Sequence, residues 1–330
     1  MVRPPEWPVP TFQAIDRHFT DPEAFVTAAA AGHSRFLSVV GRSFRAEFSS
    51  VLLDRVSIGG GDSTAPVINT PLIPPGMQAF VFAMKPSAPR NLSGRNVEFG
   101  EIFAFRPDSE ATSAPTTREP WPYALIALPS ETLDTAAANL GFRPHVRLND
   151  ERMFRGADQP MSRLRALVGD AMRMAREEPW MAAMPEPARA LSGAMREALL
   201  ECLTAGREVP DRAARHRHRA LVSRLMEAGR FTPETLLSLP EICAWLDVPQ
   251  STLNVACREF LGVSTMQYTR LRRLDHARHR LRLGGDQGNV TSVATGLGFW
   301  ELGRFAVAYR ARFGESPSET LRHGQAMHGV

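Results

Sequence analysis

The chain has 330 residues, 43% hydrophobic and 22% charged, with a formal net charge of +4; this balance predicts globular material in two domains and excludes a disordered chain. It shows no run of ~18 apolar residues and no charged-then-apolar leader, so it is expected in the cytoplasm, away from membrane. The charge is uneven: Arg212 to Val330 has 17 Arg against 10 acidic residues, a net +7, leaving 22 basic against 25 acidic, or −3, before it.

The first segment, Met1 to about Ala31, is proline-rich and then predicted helical, with Asp21-Pro22-Glu23 as a helix start. From Phe36 to about Leu133 the pattern shortens to apolar runs: Phe44 to Ile58, Gln78 to Met84, Val97 to Phe105 and Tyr123 to Leu128. Gly59-Gly60-Gly61, Pro74-Pro75-Gly76 and Ser113-Ala114-Pro115 punctuate them. Short runs with such breaks predict strands, and together an antiparallel β-sandwich or barrel within residues 1–157. Small barrels hold ligands among inward-facing apolar and aromatic side chains. Phe48, Phe80, Phe82, Phe103, Phe105, Trp121 and Tyr123, with Phe99, are the candidate lining of an effector pocket, plain core being the alternative for each. A metal site needs clustered histidines with a carboxylate. This region has only His18, His33 and His145, widely separated, so neither metal nor cofactor is expected. Ser130 and Cys202 lack the neighbours of a nucleophile motif, and no catalytic residue is assigned.

Residues 158–205 read as a helix hairpin. Leu164, Leu167, Val168, Ala171, Met172 and Ala175 form one stripe, Leu191, Ala194, Met195, Ala198, Leu199 and Cys202 another, with Glu178-Pro179 to Pro187 between them. The hairpin is expected to pack on the sandwich or on its copy in a homodimer. Residues 206–213 are the expected linker, before a last domain over 214–330. Cys202, Cys243 and Cys257 all fall on predicted helices without a CxxC pair, as small buried hydrophobes of a reducing compartment do.

Residues 238 to 323 hold one pattern twice. The offset is 51 residues before the turn (Ile242 to Val293, Leu246 to Leu297) and 52 after it (Leu253 to Phe305, Ala256 to Ala308, Cys257 to Tyr309, Leu261 to Phe313). Spacings of i, i+3, i+4 and i+8 put these residues on one buried stripe of each second helix. Ser238-x-x-Glu241 is a capping box, Gly262 and Gly314 stop the second helices, Ser264-x-x-Gln267 starts a connector, and Ser316-Pro317-Ser318-Glu319 starts the last helix. The pattern is a helix-turn-helix repeated, and an ordinary helical bundle is the bland alternative.

The connector, about Ser264 to Leu283, would be ~30 Å long at ~1.5 Å per residue, close to the ~34 Å between successive major grooves on one face of a duplex. One chain could enter two grooves of double-stranded DNA. Tyr268, Leu271, Leu274, Ala277 and Leu281 are its expected buried stripe, with the arginines outside it. Base reading is expected from the starts of the second helices: Gln250, Ser251, Thr252, Asn254 and Val255 in one, Glu301, Leu302, Gly303, Arg304 and Val307 in the other. Arg304 can pair bidentately with guanine for ~1–3 kcal/mol of discrimination; a phosphate contact or a pair with Glu301 is the alternative. Arg258, Arg272, Arg273, Arg310 and Arg312 are the candidate phosphate contacts.

These residues resemble the AraC/XylS family of bacterial transcription regulators. Ile242-Cys243 and Val293-Ala294 occupy the family's paired "IA" positions, Leu297-Gly298-Phe299 matches its "VGF" turn, and Arg310-x-Arg312-Phe313-Gly314-x-Ser316-Pro317 matches its C-terminal signature. Pro249, Cys243 and Trp300 depart from it. The resemblance covers about 110 residues and implies a transcription regulator, an activator acting with RNA polymerase at promoter DNA, in an α+β architecture of cupin-like N-terminal sandwich and all-α double helix-turn-helix domain. Phe44-Arg45-Ala46-Glu47-Phe48, Leu53-Asp54 and Ala124 to Leu128 are weakly similar to the sensor half of ethanolamine-operon regulators. The competing functions are a DNA-tethered enzyme, such as an alkyl-transfer repair protein with a reactive cysteine, and an architectural DNA binder without an effector.

Overall fold

The computed structural model describes residues 14–20, 24–25, 35–38, 44–63, 67–70, 72–107, 109–117, 119–141, 151–210, 213–228, 238–284 and 289–328. The expected helix start at Asp21, and His33 and His145, lie outside them. The N-terminal strands are β1 (Ala14–Phe19), β2 (Arg35–Ser38), β3 (Ala46–Leu53), β4 (Val56–Ser63), β5 (Val67–Thr70), β6 (Leu72–Ile73) and β7 (Met77–Ala83). They continue as β8 (Arg90–Leu92), β9 (Arg95–Val97), β10 (Glu101–Phe105), β11 (Ser109–Glu110), β12 (Ser113–Pro115) and β13 (Tyr123–Pro129). Helix α1 (Ser130–Asn139), β14 (Arg152–Arg155), helices α2 (Asp158–Glu177) and α3 (Pro185–Ala205) and strand β15 (Arg207–Glu208) complete this half.

Two main antiparallel sheets face each other. The larger runs β1-β3-β4-β13-β7-β10-β14-β15, the smaller β2-β5-β12-β8-β9. The period-2 alternation of strands divides the side chains cleanly. Phe80, Phe82, Ile102, Ala104, Ala124, Ile126 and Leu128 face helices α2 and α3, sharing a core with Leu164, Val168, Met195 and Leu199. Their alternates Val81, Phe103, Phe105, Tyr123 and Leu125 face the smaller sheet, with Leu92 and Val97 opposite.

Several expectations are corrected here. Residues 14–19, ahead of the expected helix start, form a strand that sequence reasoning did not foresee, and β1 pairs with β3 from Ala14↔Val51 to Phe19↔Ala46. The run from Phe44 to Ile58 is broken by Asp54, at φ 54°, into a β3–β4 hairpin. Gly59-Gly60-Gly61 is no turn but the middle of β4. A Cβ on Gly60 would lie 2.7 Å from the Tyr123 carbonyl oxygen and 2.8 Å from Met172 Cε, and one on Gly61 2.1 Å from the Glu47 carbonyl oxygen. The glycines are there because neighbouring backbone and α2 come too close for a side chain. Ser113-Ala114-Pro115 is likewise a strand. Phe80 and Phe82 are removed from the expected pocket lining, since their parity turns them toward the helices. Phe48 packs with Phe25 and Phe44 in a separate cluster, which leaves Phe103, Phe105, Trp121 and Tyr123 between the sheets.

The α2–α3 hairpin spends its apolar stripes on its own sheet, so those stripes are not open to a second chain. On its outer side Arg163 ties the two helices through Glu197 at 2.9 Å and Glu201 at 3.2 Å. The expected linker is partly sheet: Arg207 and Glu208 pair with Arg155 and Phe154 of β14.

The C-terminal helices are α4 (Ala213–Ala228), α5 (Leu239–Leu246), α6 (Gln250–Leu261), α7 (Thr265–Arg282), α8 (Val290–Gly296), α9 (Leu302–Phe313) and α10 (Pro317–His328). They hold two cores, one on Leu246, Leu253, Cys257, Phe260 and Leu261, the other on Leu274, Ala277, Val293, Leu297, Phe305 and Tyr309. The smaller sheet docks on the first. Ala114 of β12 joins that core, and at the β8–β9 turn (Ser93 φ 46°, Gly94 φ 79°) a Cβ on Gly94 would lie 2.8 Å from the Phe260 ring. Ser93 Oγ donates to Glu151 at 2.9 Å, Arg219 of α4 donates to the same carboxylate at 2.9 Å, and Arg95 donates to the Val209 carbonyl.

Candidate nucleic-acid interface

Both helix-turn-helix units are built by local chemistry. Ser238 and Glu241 form the reciprocal capping box of α5, with Glu241 N–H donating to Ser238 Oγ at 3.4 Å and Ser238 N–H to Glu241 Oε2 at 2.6 Å. Asn289 caps α8 by accepting from Thr291 N–H at 2.8 Å. The turns need a left-handed residue: Asp247 at φ 54° in the first copy and Gly298 at φ 77° in the second. Gly262 and Gly314 end α6 and α9 at φ 68° and 78°, a conformation nearly free only for glycine.

The second helices bury one face and expose the other. On α6, Leu253, Ala256 and Cys257 are buried while Gln250, Ser251, Val255 and Arg258 are exposed; Thr252 and Asn254 are half-buried. On α9, Phe305 and Tyr309 are buried while Gly303, Arg304, Val307 and Arg310 are exposed, as are Glu301 and Trp300 before it. Trp300 is 81% and Val307 72% exposed, large apolar groups left in water on the face opposite the core.

Three assigned residues, Asn254, Arg304 and Arg312, have partners within the protein. Asn254 Oδ1 accepts from Thr265 N–H at 3.2 Å, so its acceptor caps connector α7. Arg304 pairs with Glu301 at 2.9 Å while staying 80% exposed, so a phosphate or base can still reach it. Arg312 is corrected outright as a phosphate contact. Its guanidinium is buried and its Nε and Nη2 donate to Asp275 Oδ1 at 3.0 and 2.6 Å, so it bolts α9 to α7. Burial pushes the Asp275 carboxyl up, with Arg312 pulling it back. Arg273 is half-buried, its Nη1 at 3.4 Å from where a Cβ of Gly298 would sit; Arg272 is half-buried too.

Between the starts of α6 and α7 lies a concavity of about 560 Å³ lined by Gln250, Ser251, Asn254, Arg258, Ser264, Thr265 and Met266. Sequence reasoning missed Ser264, Thr265 and Met266, because they join the site through the fold of the connector rather than through the repeat. Connector α7 has 18 residues, so it spans ~27 Å at ~1.5 Å per residue. Tyr268, Leu271, Leu274, Ala277 and Leu281 are buried along it. Two of the three thiols are unsuited to alkyl transfer, since burial pushes Cys202 up to about 12 and Cys257 to about 11, and the thiolate is the nucleophile. Among the described residues no group of His, Cys, Asp and Glu could hold a metal, and no helix is long and apolar enough to cross a membrane.

Two helix-turn-helix units on one connector define a DNA-binding domain of the double-reader class. The helix-turn-helix domain family matches residues 242–323. The XylDLEGF operon transcriptional activator 1 of Pseudomonas putida is 28% identical over 232 residues, 68% of this chain and 65% of its own length. The probable thc operon regulatory protein of Rhodococcus erythropolis is 32% identical over 139 residues, 38% of this chain and 40% of its own. The alignment thus spans just under two thirds of the first relative. Among solved structures, ToxT from Vibrio cholerae aligns over 82% of this chain and 99% of its own at 12% identity and a TM-score of 0.28. The C-terminal domain is thus a helix-turn-helix domain of the AraC/XylS type.

Proposed function

We propose that the chain is a cytoplasmic transcription activator that places α6 and α9 in successive major grooves of promoter DNA. It acts as a homodimer with RNA polymerase and answers to a small-molecule effector held between its N-terminal sheets. The observation that carries the reading is the division of faces on the two second helices: Val255 and Arg258, and Val307 and Arg310, stand exposed opposite buried cores. Relatives named as transcriptional activators support the direction of regulation. Base reading falls to Gln250, Ser251, Thr252, Asn254 and Val255 on α6 and to Glu301, Gly303, Arg304 and Val307 about α9. Val255 and Val307 offer methyl groups to thymine, and Arg304 offers a fork to guanine once it leaves Glu301. Arg258, Arg272, Arg273 and Arg310 take phosphate.

Binding-site selection with the full chain tests this. Arg304→Ala is expected to flatten preference at one base position, a loss of about 1–3 kcal/mol of discrimination. Arg310→Ala is expected to weaken all sequences alike and lower the salt slope by about one. An unchanged sequence logo for Arg304→Ala would remove it from base reading.

A further inference from the structure

The turns of the two helix-turn-helix units differ by one residue, and backbone hydrogen bonds show which one. Up to the turn the units correspond at an offset of 51: Val248 N–H donates to the Cys243 carbonyl at 3.1 Å, and Phe299 N–H to the Ala294 carbonyl at 2.9 Å. Val248 and Phe299 each pack against the core of their own unit. Beyond it the offset is 52: Leu253 N–H donates to the Pro249 carbonyl at 3.1 Å, and Phe305 N–H to the Glu301 carbonyl at 2.9 Å, Pro249 and Glu301 being the two N-caps. Phe299 therefore answers to Val248 and Glu301 to Pro249. Trp300, between them, is the extra residue and has no counterpart in the first unit.

The insertion puts its side chain outside. Trp300 is 81% exposed, belongs to none of the hydrophobic clusters, and among the described residues meets no other ring and no cation. A single exposed apolar residue is ordinary; what distinguishes this one is where it stands. It directly precedes α9, and the first residues of a second helix are those a helix-turn-helix turns toward base edges. Its charged neighbours, Glu301 and Arg304, are paired at 2.9 Å, so this helix start carries no surplus positive charge to draw a phosphate, and the Glu301 carboxylate repels one. A base edge is then the better match for the indole. The apolar feature of base edges in the major groove is the 5-methyl group of thymine.

We propose that Trp300 is a specificity-determining residue, its indole covering the 5-methyl group of a thymine beside the base read by Arg304. This rests on the DNA reading above and adds a position that the first unit lacks, so the thymine preference belongs to the half of the site under α9.

The test uses the full chain and a duplex recovered by its own binding-site selection. Each thymine is replaced in turn by uracil, which removes the methyl group and leaves the hydrogen-bonding edges unchanged. The wild-type chain is expected to lose about fourfold in affinity at one thymine under α9, the ~0.8 kcal/mol of one buried methyl group. Trp300→Ala is expected to bind the unmodified duplex at least about fourfold more weakly and to bind thymine and uracil alike at that position. Arg304→Ala should keep the thymine–uracil difference, because its contact is with another base. The role of Trp300 is overturned if the wild-type chain tolerates uracil at every position. It is equally overturned if Trp300→Ala keeps the wild-type difference, even with weaker binding overall, as an indole resting on sugar and phosphate would. A selection that returns no preferred sequence sinks the DNA reading and this role with it; a preferred sequence bound alike with thymine and uracil sinks the role of Trp300 alone.

Discussion

The two helix-turn-helix units share a plan and differ in what holds them. The first is enclosed by the N-terminal half: Ala114 enters its core, the Gly94 turn rests on the Phe260 ring, and the Pro115 carbonyl oxygen lies 3.1 Å from where a Cβ of Gly262 would be. Among the described residues the core of the second is made of α7 to α10, fastened by the buried Arg312–Asp275 pair and by Tyr309 Oη–H donating to Thr320 at 2.9 Å. A repeat in sequence has become an asymmetric pair, in which one unit packs against the N-terminal half and the other is held by its own domain. Coupling of this kind needs an element whose position both sides bias, and the β8–β9 turn against α6 is placed to be that element.

The largest effect that would break this comparison comes from the two cores. Phe260→Ala and Phe305→Ala are each expected to cost about 3–5 kcal/mol in urea unfolding. Only Phe260→Ala should also speed amide hydrogen exchange in β8 and β9, and equal exchange in both variants would erase the asymmetry. Next, Glu151→Gln weakens the carboxylate shared by Ser93 and Arg219 and is expected to cost about 1–2 kcal/mol. Its signature is faster exchange at α4 and the β8–β9 turn with α9 unchanged.

The connector serves both units alike, and acid tests that. Burial, then Arg272, His279 and Arg280, lowers His276 to about 4 from an ordinary 6.5. The unfolded chain therefore binds the proton more readily, and the stability His276 contributes is complete above pH 6.5 and lost as pH falls toward 4. His276→Gln should flatten that limb of a stability–pH profile, with both units losing protection together in the native protein. The smallest effect separates the two exposed tryptophans of the C-terminal domain, Trp245 and Trp300. Trp300→Ala should shift stability by less than about 0.5 kcal/mol, as an exposed site does. Trp245→Ala should cost about 0.5–1 kcal/mol, because Arg224 sits 5.1 Å over its ring in a cation–π contact. Equal thermal midpoints for the two variants would show that this contact adds nothing.

The C-terminal domain was legible because its signals are local: a capping box four residues long, a glycine at the end of each second helix, an apolar stripe at helical spacing. The sheets were legible as strands but not as partners. Nothing near Gly59-Gly60-Gly61 reveals that Met172, over a hundred residues later, will press against Gly60, so the triplet reads as a turn. Parity also defeated the pocket assignment, because an aromatic run shows its alternation but not which face meets helix and which meets sheet. Within the site, the exposed faces of α6 and α9 followed from the repeat. The capture of Arg312 by Asp275 and of Asn254 by the connector did not, since each joins side chains from helices whose contact only the fold establishes.

The stitching of Arg207 and Glu208 onto β14 has a practical side for anyone wishing to rewire this protein. The segment between the halves behaves as the last strand of one and the approach to the other, so a cut there removes a sheet edge along with the Arg95–Val209 bond. A chimera that gives this N-terminal half a new DNA-binding domain should therefore be joined after α4 and should keep a phenylalanine at the position of Phe260. A clean exchange of domains at the apparent linker would separate surfaces that were shaped together.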